Sequence, residues 1–427
     1  MHFFGAGVID QIVLSAANFL AGLLMIRRTS DVAYGQFVLA QSAILLLVSA
    51  QASWLTGPLS IVVPKKTPSN KAHAIGTMRV SQAKFLRRLG VALLLATTAA
   101  WLIGILKPGI AFVTAGIMLA CWAALQREYL RSALIMHTRP RQLLQSDVVY
   151  AACLIIGVLG TTYWPSWSGI LAIGALVMAA RIAAAVSYRT LGADPGWAAG
   201  DAKPLWQEIR QIGIWATVGS VTYWIFAQSY NYILASRFDL TAVASVNAAR
   251  LLLTPIFVFT IGVNNVLITS TAKWLAAVGL TKTLRRLLLV LLSITALDLI
   301  YLVFLWSIRG WLIASVLHKT ITDRDTLLLL WASIALIFLP REILQAVLFA
   351  SGRVKSMTWV IGVSALVSLS LTWYGIGRWG TASVLIGQIA GESVNVLVLA
   401  GMLWRLLRVK GPVPPSYKSG DIPTTSS

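Results

Sequence analysis

Acidic residues are scarce. There are 14 Asp and Glu among 427 residues, against 35 Lys and Arg, and charges of both signs make up only 11% of the chain. Soluble proteins carry roughly 25%, so a soluble enzyme and a disordered chain are both excluded. Two cysteines, Cys121 and Cys153, are too few for a disulfide scaffold. Both lie in apolar runs and read as small buried hydrophobes. Four scattered histidines with no Cys/His cluster give no metal site, and no cofactor motif is present. The N-terminus lacks a basic region ahead of a small-residue cleavage site, so no cleaved signal peptide is expected. What is abundant is apolar: 58% of residues are hydrophobic and mean hydropathy is +0.78. A membrane-crossing helix uses about 20 apolar residues, so the chain reads as an all-α polytopic membrane protein.

Twelve apolar runs of spanning length are predicted, at 7–27, 36–56, 87–106, 109–126, 146–163, 169–188, 212–235, 246–268, 287–307, 326–348, 356–376 and 381–404. The net charge of +21 would suggest nucleic acid on a soluble chain; here it falls mostly in loops. With the N-terminus inside, the inner loops with their flanks hold 24 Lys and Arg and the outer loops with theirs 8. Arg181, Arg250 and Arg341 lie within spans. That asymmetry places both termini in the cytoplasm, with no nucleic-acid partner. Arg27 and Arg28 are the local exception, a basic pair on the outer side.

The inner loop 189–211 contains Gly192, Asp194-Pro195-Gly196, Gly200 and Pro204. It reads as a flexible linker at the midpoint of the spans. The implied organisation is a six-helix bundle at 1–195, a second at 196–411, and a disordered polar tail at 412–427. A faint echo supports duplication: Arg28 with Gly35-Gln36-Phe37, against Arg237 with Ala244-Ser245-Val246. Duplicated halves flanking a substrate site are a common transporter plan. The stretch 71–88, basic with Ile75, Met78, Val80 and Phe85, is expected to lie as an amphipathic helix on the inner leaflet.

Three blocks carry a family likeness. The first is Asp10-Gln11, Ser15, Asn18-Phe19-Leu20, Arg27-Arg28, Tyr34-Gly35-Gln36-Phe37 and Leu39-Ala40. The second is Leu125-Gln126-Arg127 with Arg131. The third is Asn231-Tyr232, Ala244, Asn247-Ala248-Ala249-Arg250, Pro255 and Asn264-Asn265. With the twelve-span plan, these resemble the Wzx-like oligosaccharide-lipid flippases of polysaccharide biosynthesis, within the multidrug/oligosaccharidyl-lipid/polysaccharide exporter superfamily. The resemblance implies a V-shaped, two-bundle exporter. It implies transport of an undecaprenyl-pyrophosphate-linked oligosaccharide across the bacterial inner membrane, with membrane lipids and a polysaccharide polymerase as partners.

Ionisable residues at membrane depth face a bundle interior or a cavity. The candidate cavity cations are Arg28, Arg181, Arg250 and Arg341, since a guanidinium fork suits phosphate oxygens and stays charged. Arg181, near midspan, is either a partner for a buried acid or the cation that meets the pyrophosphate. Arg341 either contacts substrate or snorkels to the interface. It follows Pro340 and precedes Glu342, and neighbours about 100° apart on a helix are not expected to pair. Asp298 and Glu392, deep in their spans, are candidates for ion coupling or for charge partners of Arg181. Asp10 reads as a helix N-terminal charge and Asp147 as an arginine partner. Asn18, Asn231, Tyr232 and Asn264 are candidates for sugar contacts, or for interhelical hydrogen bonds. Tyr223, Trp224 and Tyr230 share the cavity reading; Trp164, Trp167 and Trp379 read as an interfacial belt.

These residues point to a non-enzymatic flippase working by alternating access. Two alternatives stand: a multidrug or cation exporter of the same superfamily, whose cavity should favour acids, and a polytopic polysaccharide polymerase. Asp323-Arg324-Asp325 is the single feature a polymerase would use, and a solvated turn explains it as well.

Overall fold

Proline and capping side chains set the helix starts. In the computed structural model, Pro68, Pro108 and Pro140 open α4 (Pro68–Leu102), α5 (Pro108–Met136) and α6 (Pro140–Gly160), where a missing N–H costs nothing. Ser30 caps α2 (Asp31–Gln51) by accepting from the Ala33 N–H at 3.2 Å. Preceding it is α1 (His2–Arg28) and following it α3 (Gly57–Val62). The remaining helices are α7 (Ser168–Gly192), α8 (Lys203–Arg237), α9 (Leu240–Trp311), α10 (Arg324–Ala350), α11 (Val354–Trp379) and α12 (Ser383–Arg408). The structure describes 2–63, 66–193, 197, 200–318, 323–351 and 353–408, without the side chains of 2–9, 68–69, 211–212, 215, 265–266, 269, 272, 276 and 354–355. The expected tail at 412–427 and the Asn265 side chain lie outside it. Among the described residues there is no strand.

Among the described residues, ten segments are long and apolar enough to cross a membrane. One of them, Ser356–Arg408, holds both α11 and α12, separated by the Gly380–Ala382 turn. The seventh predicted run lies in α8, a helix outside that set; Thr217, Ser220, Thr222, Gln228, Ser229 and Asn231 dilute its apolar character. The second run extends past its predicted end at 56, through Pro58 to Val62. A π-helical turn at Ala52–Thr56 carries the chain from α2 into α3, and such a widened turn accommodates the missing proline donor.

Three loop readings are corrected. The stretch 71–88 is not a surface helix but the first half of α4. Its Ala74, Ile75 and Met78 are buried against Tyr129, Ala133 and Leu134 of α5, and the Tyr129 hydroxyl donates to the Ile75 carbonyl at 2.7 Å. The apolar face that suggested a lipid surface meets a neighbouring helix instead. The described part of 189–211 is packed rather than loose: Trp197, Ala202, Leu205 and Trp206 lie on the same core, and the Trp206 indole donates to the Ser81 hydroxyl at 2.9 Å. The loop 269–286 is helical within α9 except at Gly279, whose φ of 76° breaks the helix in a conformation open to glycine.

Two compact units emerge. The first runs from α1 through Trp224 and adds Asn231–Ala248; the second takes Ile225–Tyr230, the rest of α9, and α10–α12. In the second unit, α11 and α12 approach closely. A side chain at Gly387 or Gly391 would run into the Ser368 or Ser364 carbonyl of α11. That Gly-x-x-x-Gly spacing replaces the hydrophobic drive that helices lack in lipid with direct backbone packing.

Candidate functional site

In the first unit, α5 carries Arg127 and Arg131 one turn apart, so both project from one face. They meet Asp147, fully enclosed on α6, and Asp10 on α1. Arg131 Nε donates to Asp147 at 2.8 Å and a second arm reaches Asp10. Arg127 also donates to Asp147 and stacks on the Tyr150 ring at 3.8 Å. Asp147 is thus the arginine partner expected. Asp10 is not an N-terminal helix charge: α1 begins at His2, and Asp10 closes an ion-pair network. The signal was present in the i, i+4 arginines and two acids inside spans, which require cations.

The second unit holds a comparable network. Arg341, 1% exposed, donates to Glu392 of α12 at 2.6 Å and to Glu342 at 2.5 Å. The Asn264 amide of α9 donates to the other Glu342 oxygen. Adjacent residues therefore do pair here. The long guanidinium arm bridges the angular gap because Glu392 and Asn264 hold the two ends. Arg341 is enclosed by the bundle, not snorkelled. Near Pro255, Arg250 donates to the Tyr230 hydroxyl at 3.1 Å and lies over Trp331 at 5.4 Å. The Leu252 carbonyl in the turn before that proline accepts from Tyr301 at 2.7 Å. Asp298 is 3% exposed, and its Oδ2 makes no hydrogen bond among the described residues.

Arg181 behaves differently. It is exposed on α7, donates to the Gln126 amide oxygen and lies over the Trp122 ring at 4.8 Å. Both partners are neutral. Trp122 also lines two apolar hollows of about 610 and 570 Å³. One lies among α2, α4, α5 and the C-terminal end of α8, with Tyr232 in its wall; the other lies among α4, α5 and α7. Beside Gln126 a small polar pocket of about 50 Å³ is lined by Arg79 and Gln82.

The polar candidates are dispersed. Asn231 is fully buried, donating to the Ser42 hydroxyl at 2.9 Å and accepting from Asn247 at 2.7 Å, so it ties α2, α8 and α9 together. Asn18 donates to its own helix at the Leu14 carbonyl. Tyr232 donates to the Leu39 carbonyl at 3.2 Å and packs on Trp224. Arg28 is exposed at the end of α1. The structure brings Arg341, Glu392 and Asn264 together in one network and leaves Arg181 and Arg250 in separate units. Asp325 accepts from Arg309 and Arg324, each at 3.0 Å, which engages the acid a polymerase would need.

No family model matches the chain, and no curated protein does. Solved structures match along nearly its whole length. An inward-facing multidrug resistance MATE family transporter of the MOP superfamily superposes with a TM-score of 0.75 at 11% identity, covering 93% of this chain and 96% of that one. The lipid II flippase MurJ in an inward closed conformation gives 0.68 at 12% identity, covering 94% and 87%. An outward-facing MATE transporter gives 0.63 at 13% identity, covering 94% and 95%. At such identities the likeness is one of fold alone: this chain, with its many helices long and apolar enough to cross a membrane, shares the fold of those MATE transporters and of MurJ.

Proposed function

We propose that the protein is a Wzx-like flippase that moves an undecaprenyl-pyrophosphate-linked oligosaccharide across the bacterial inner membrane for exopolysaccharide, O-antigen or capsule assembly. Arg181 carries the reading. It is a midspan guanidinium whose described partners, Gln126 and Trp122, are neutral. A cation at that depth without a carboxylate needs an anion, and a pyrophosphate provides one that its planar fork can grip. The deep acids Asp10, Asp147 and Glu392 are already engaged by arginines. On this reading the halves 1–195 and 196–411 alternate access, both termini are cytoplasmic, a polymerase receives the unit outside, and no bond is made or broken. Arg28 and Arg250 are further candidate cations for the carried head. Glu392, with Asp298, couples an ion gradient to transport. Asp298→Asn and Glu392→Gln variants that both leave transport and its pH dependence untouched would remove that coupling step.

One observation favours export of organic cations instead: Asp298 is a buried acid with an oxygen left without a hydrogen bond among the described residues. A single experiment separates the readings. Cells lacking the gene are complemented with the native chain or Arg181→Ala, and the lipid-linked sugar is located. Units trapped at the cytoplasmic face, released by the native chain and not by Arg181→Ala, are the expected result. Unchanged polysaccharide with drug sensitivity points to the exporter, and outer-face units left unpolymerised point to a polymerase.

A further inference from the structure

The two apolar hollows of the first unit share a wall. Leu86, Gly90, Val113, Met118 and Trp122 line both of them, so the hollows flank the same α4–α5 seam. The larger forms a slot that reaches from the middle of α5 at Leu125 to Gly109 at its start. Apolar groups dominate its walls. Polar groups stand beside its wall near Leu125: Trp122 carries Arg181 over its ring, Arg181 donates to Gln126, and Gln126 borders the small pocket with Arg79 and Gln82. An apolar slot with guanidinium and amide groups beside one wall has the polarity of a lipid, with a chain along the slot and an anionic head next to it.

Depth identifies which lipid. Arg181 stands near the middle of α7, between Ser168 and Gly192. At about 1.5 Å per residue it is roughly 16–20 Å from either end of the helix. A bilayer phospholipid keeps its phosphate outside a hydrocarbon core about 30 Å thick, so its head does not reach Arg181. A lipid whose head is being carried across does. We infer that the slot along α4 and α5 holds the isoprenoid chain of the carried lipid, with its pyrophosphate at Arg181. The chain therefore travels on the protein rather than free in the bilayer. This rests on the flippase reading for the identity of the lipid.

Gly90 offers a way to close the slot: a side chain there meets nothing within 4 Å, so a bulky group enters the space without striking backbone. The full chain in nanodiscs is photolabelled with undecaprenyl pyrophosphate, without sugar, carrying a diazirine on its isoprenoid chain. Labelling is expected on α4 and α5. Unlabelled undecaprenyl pyrophosphate should compete it away, whereas phosphatidylglycerol should not. Gly90→Trp should weaken labelling about tenfold, the worth of roughly two buried methylene groups. Gly401→Trp, at an equally open position on α12, should not. Label spread over helices that do not line the slot, or competed equally by phosphatidylglycerol, overturns the inference, and the map on the native chain decides even if Gly90→Trp does not fold. The two ideas fail separately. Gly90→Trp cells with normal sugar transport remove the slot and keep the flippase. Normal lipid-linked sugar in cells lacking the gene, with α4 and α5 still labelled, does the reverse.

Discussion

Arg341 and Arg181 are the same residue inside two spans, and their surroundings are opposite. Arg341 is 1% exposed between two carboxylates, whereas Arg181 is exposed with an amide and an indole for company. Removing a charge from water costs several kcal/mol, of order, unless a partner offsets it. Arg341 meets that cost within its own unit and so contributes to holding α10 against α12. Arg181, exposed and with neutral partners, has no such carboxylate among the described residues, and it is the cation that the proposed function assigns to the carried head.

The contrast is broken most severely at Arg341. Arg341→Met leaves Glu392 and Glu342 enclosed without their cation, which should cost about 3–5 kcal/mol and appear as a large drop in melting temperature in detergent. Adding Glu392→Gln should restore much of it; no restoration would mean that the ion pair is not what Arg341 supplies. Next comes Gly391→Val. Its side chain meets the Ser364 carbonyl and displaces the segment that carries Glu392, at about 1–3 kcal/mol of overpacking, measurable by the same melt. A carboxylate in water comes third. Asp239 is exposed and caps α9, accepting from the Thr241 hydroxyl at 2.6 Å and the Ala242 N–H at 2.8 Å. Those hydrogen bonds, the Thr241 hydroxyl foremost, hold its carboxyl below its ordinary value. A depressed folded-state pKa stabilises above the unfolded value and is lost as pH falls through the folded one. Asp239→Ala should therefore cost about 1 kcal/mol near neutrality, a deficit that narrows in melts below about pH 4. The smallest effect on stability is expected at Arg181. Arg181→Met should move stability by no more than about 0.5 kcal/mol while abolishing transport of lipid-linked sugar. A melt as damaged as that of Arg341→Met would erase the comparison.

Much of the fold was legible because spans are set by local composition. Apolar runs of the right length placed α7, α10 and α11 within a few residues. The errors came where an apolar stripe has two possible partners. Ile75 and Met78 make the same pattern whether they face lipid or Tyr129, and only packing chose Tyr129. Trp197 and Trp206 sit among glycines and prolines that signal a loop, yet two indoles outweigh that signal by burying themselves on the same core. At the candidate site, Asp147 could be assigned an arginine from the cost of a deep acid. The Arg341–Glu342 pair could not be foreseen, since helix geometry alone sets neighbours apart and the deciding groups, Glu392 and Asn264, are distant in sequence.

The sequence by itself determined that this chain crosses the membrane many times as helices, that its charge is overwhelmingly basic, and which ionisable residues lie at depth. Those follow from composition and spacing along one dimension. Tertiary structure decided which of those charges neutralise one another. Arg341 closes on Glu392 across 51 positions and Arg131 on Asp10 across 121, while Arg181, among the described residues, meets Gln126 and Trp122. Electrostatic pairing depends on distance through space, and only the folded chain sets that distance.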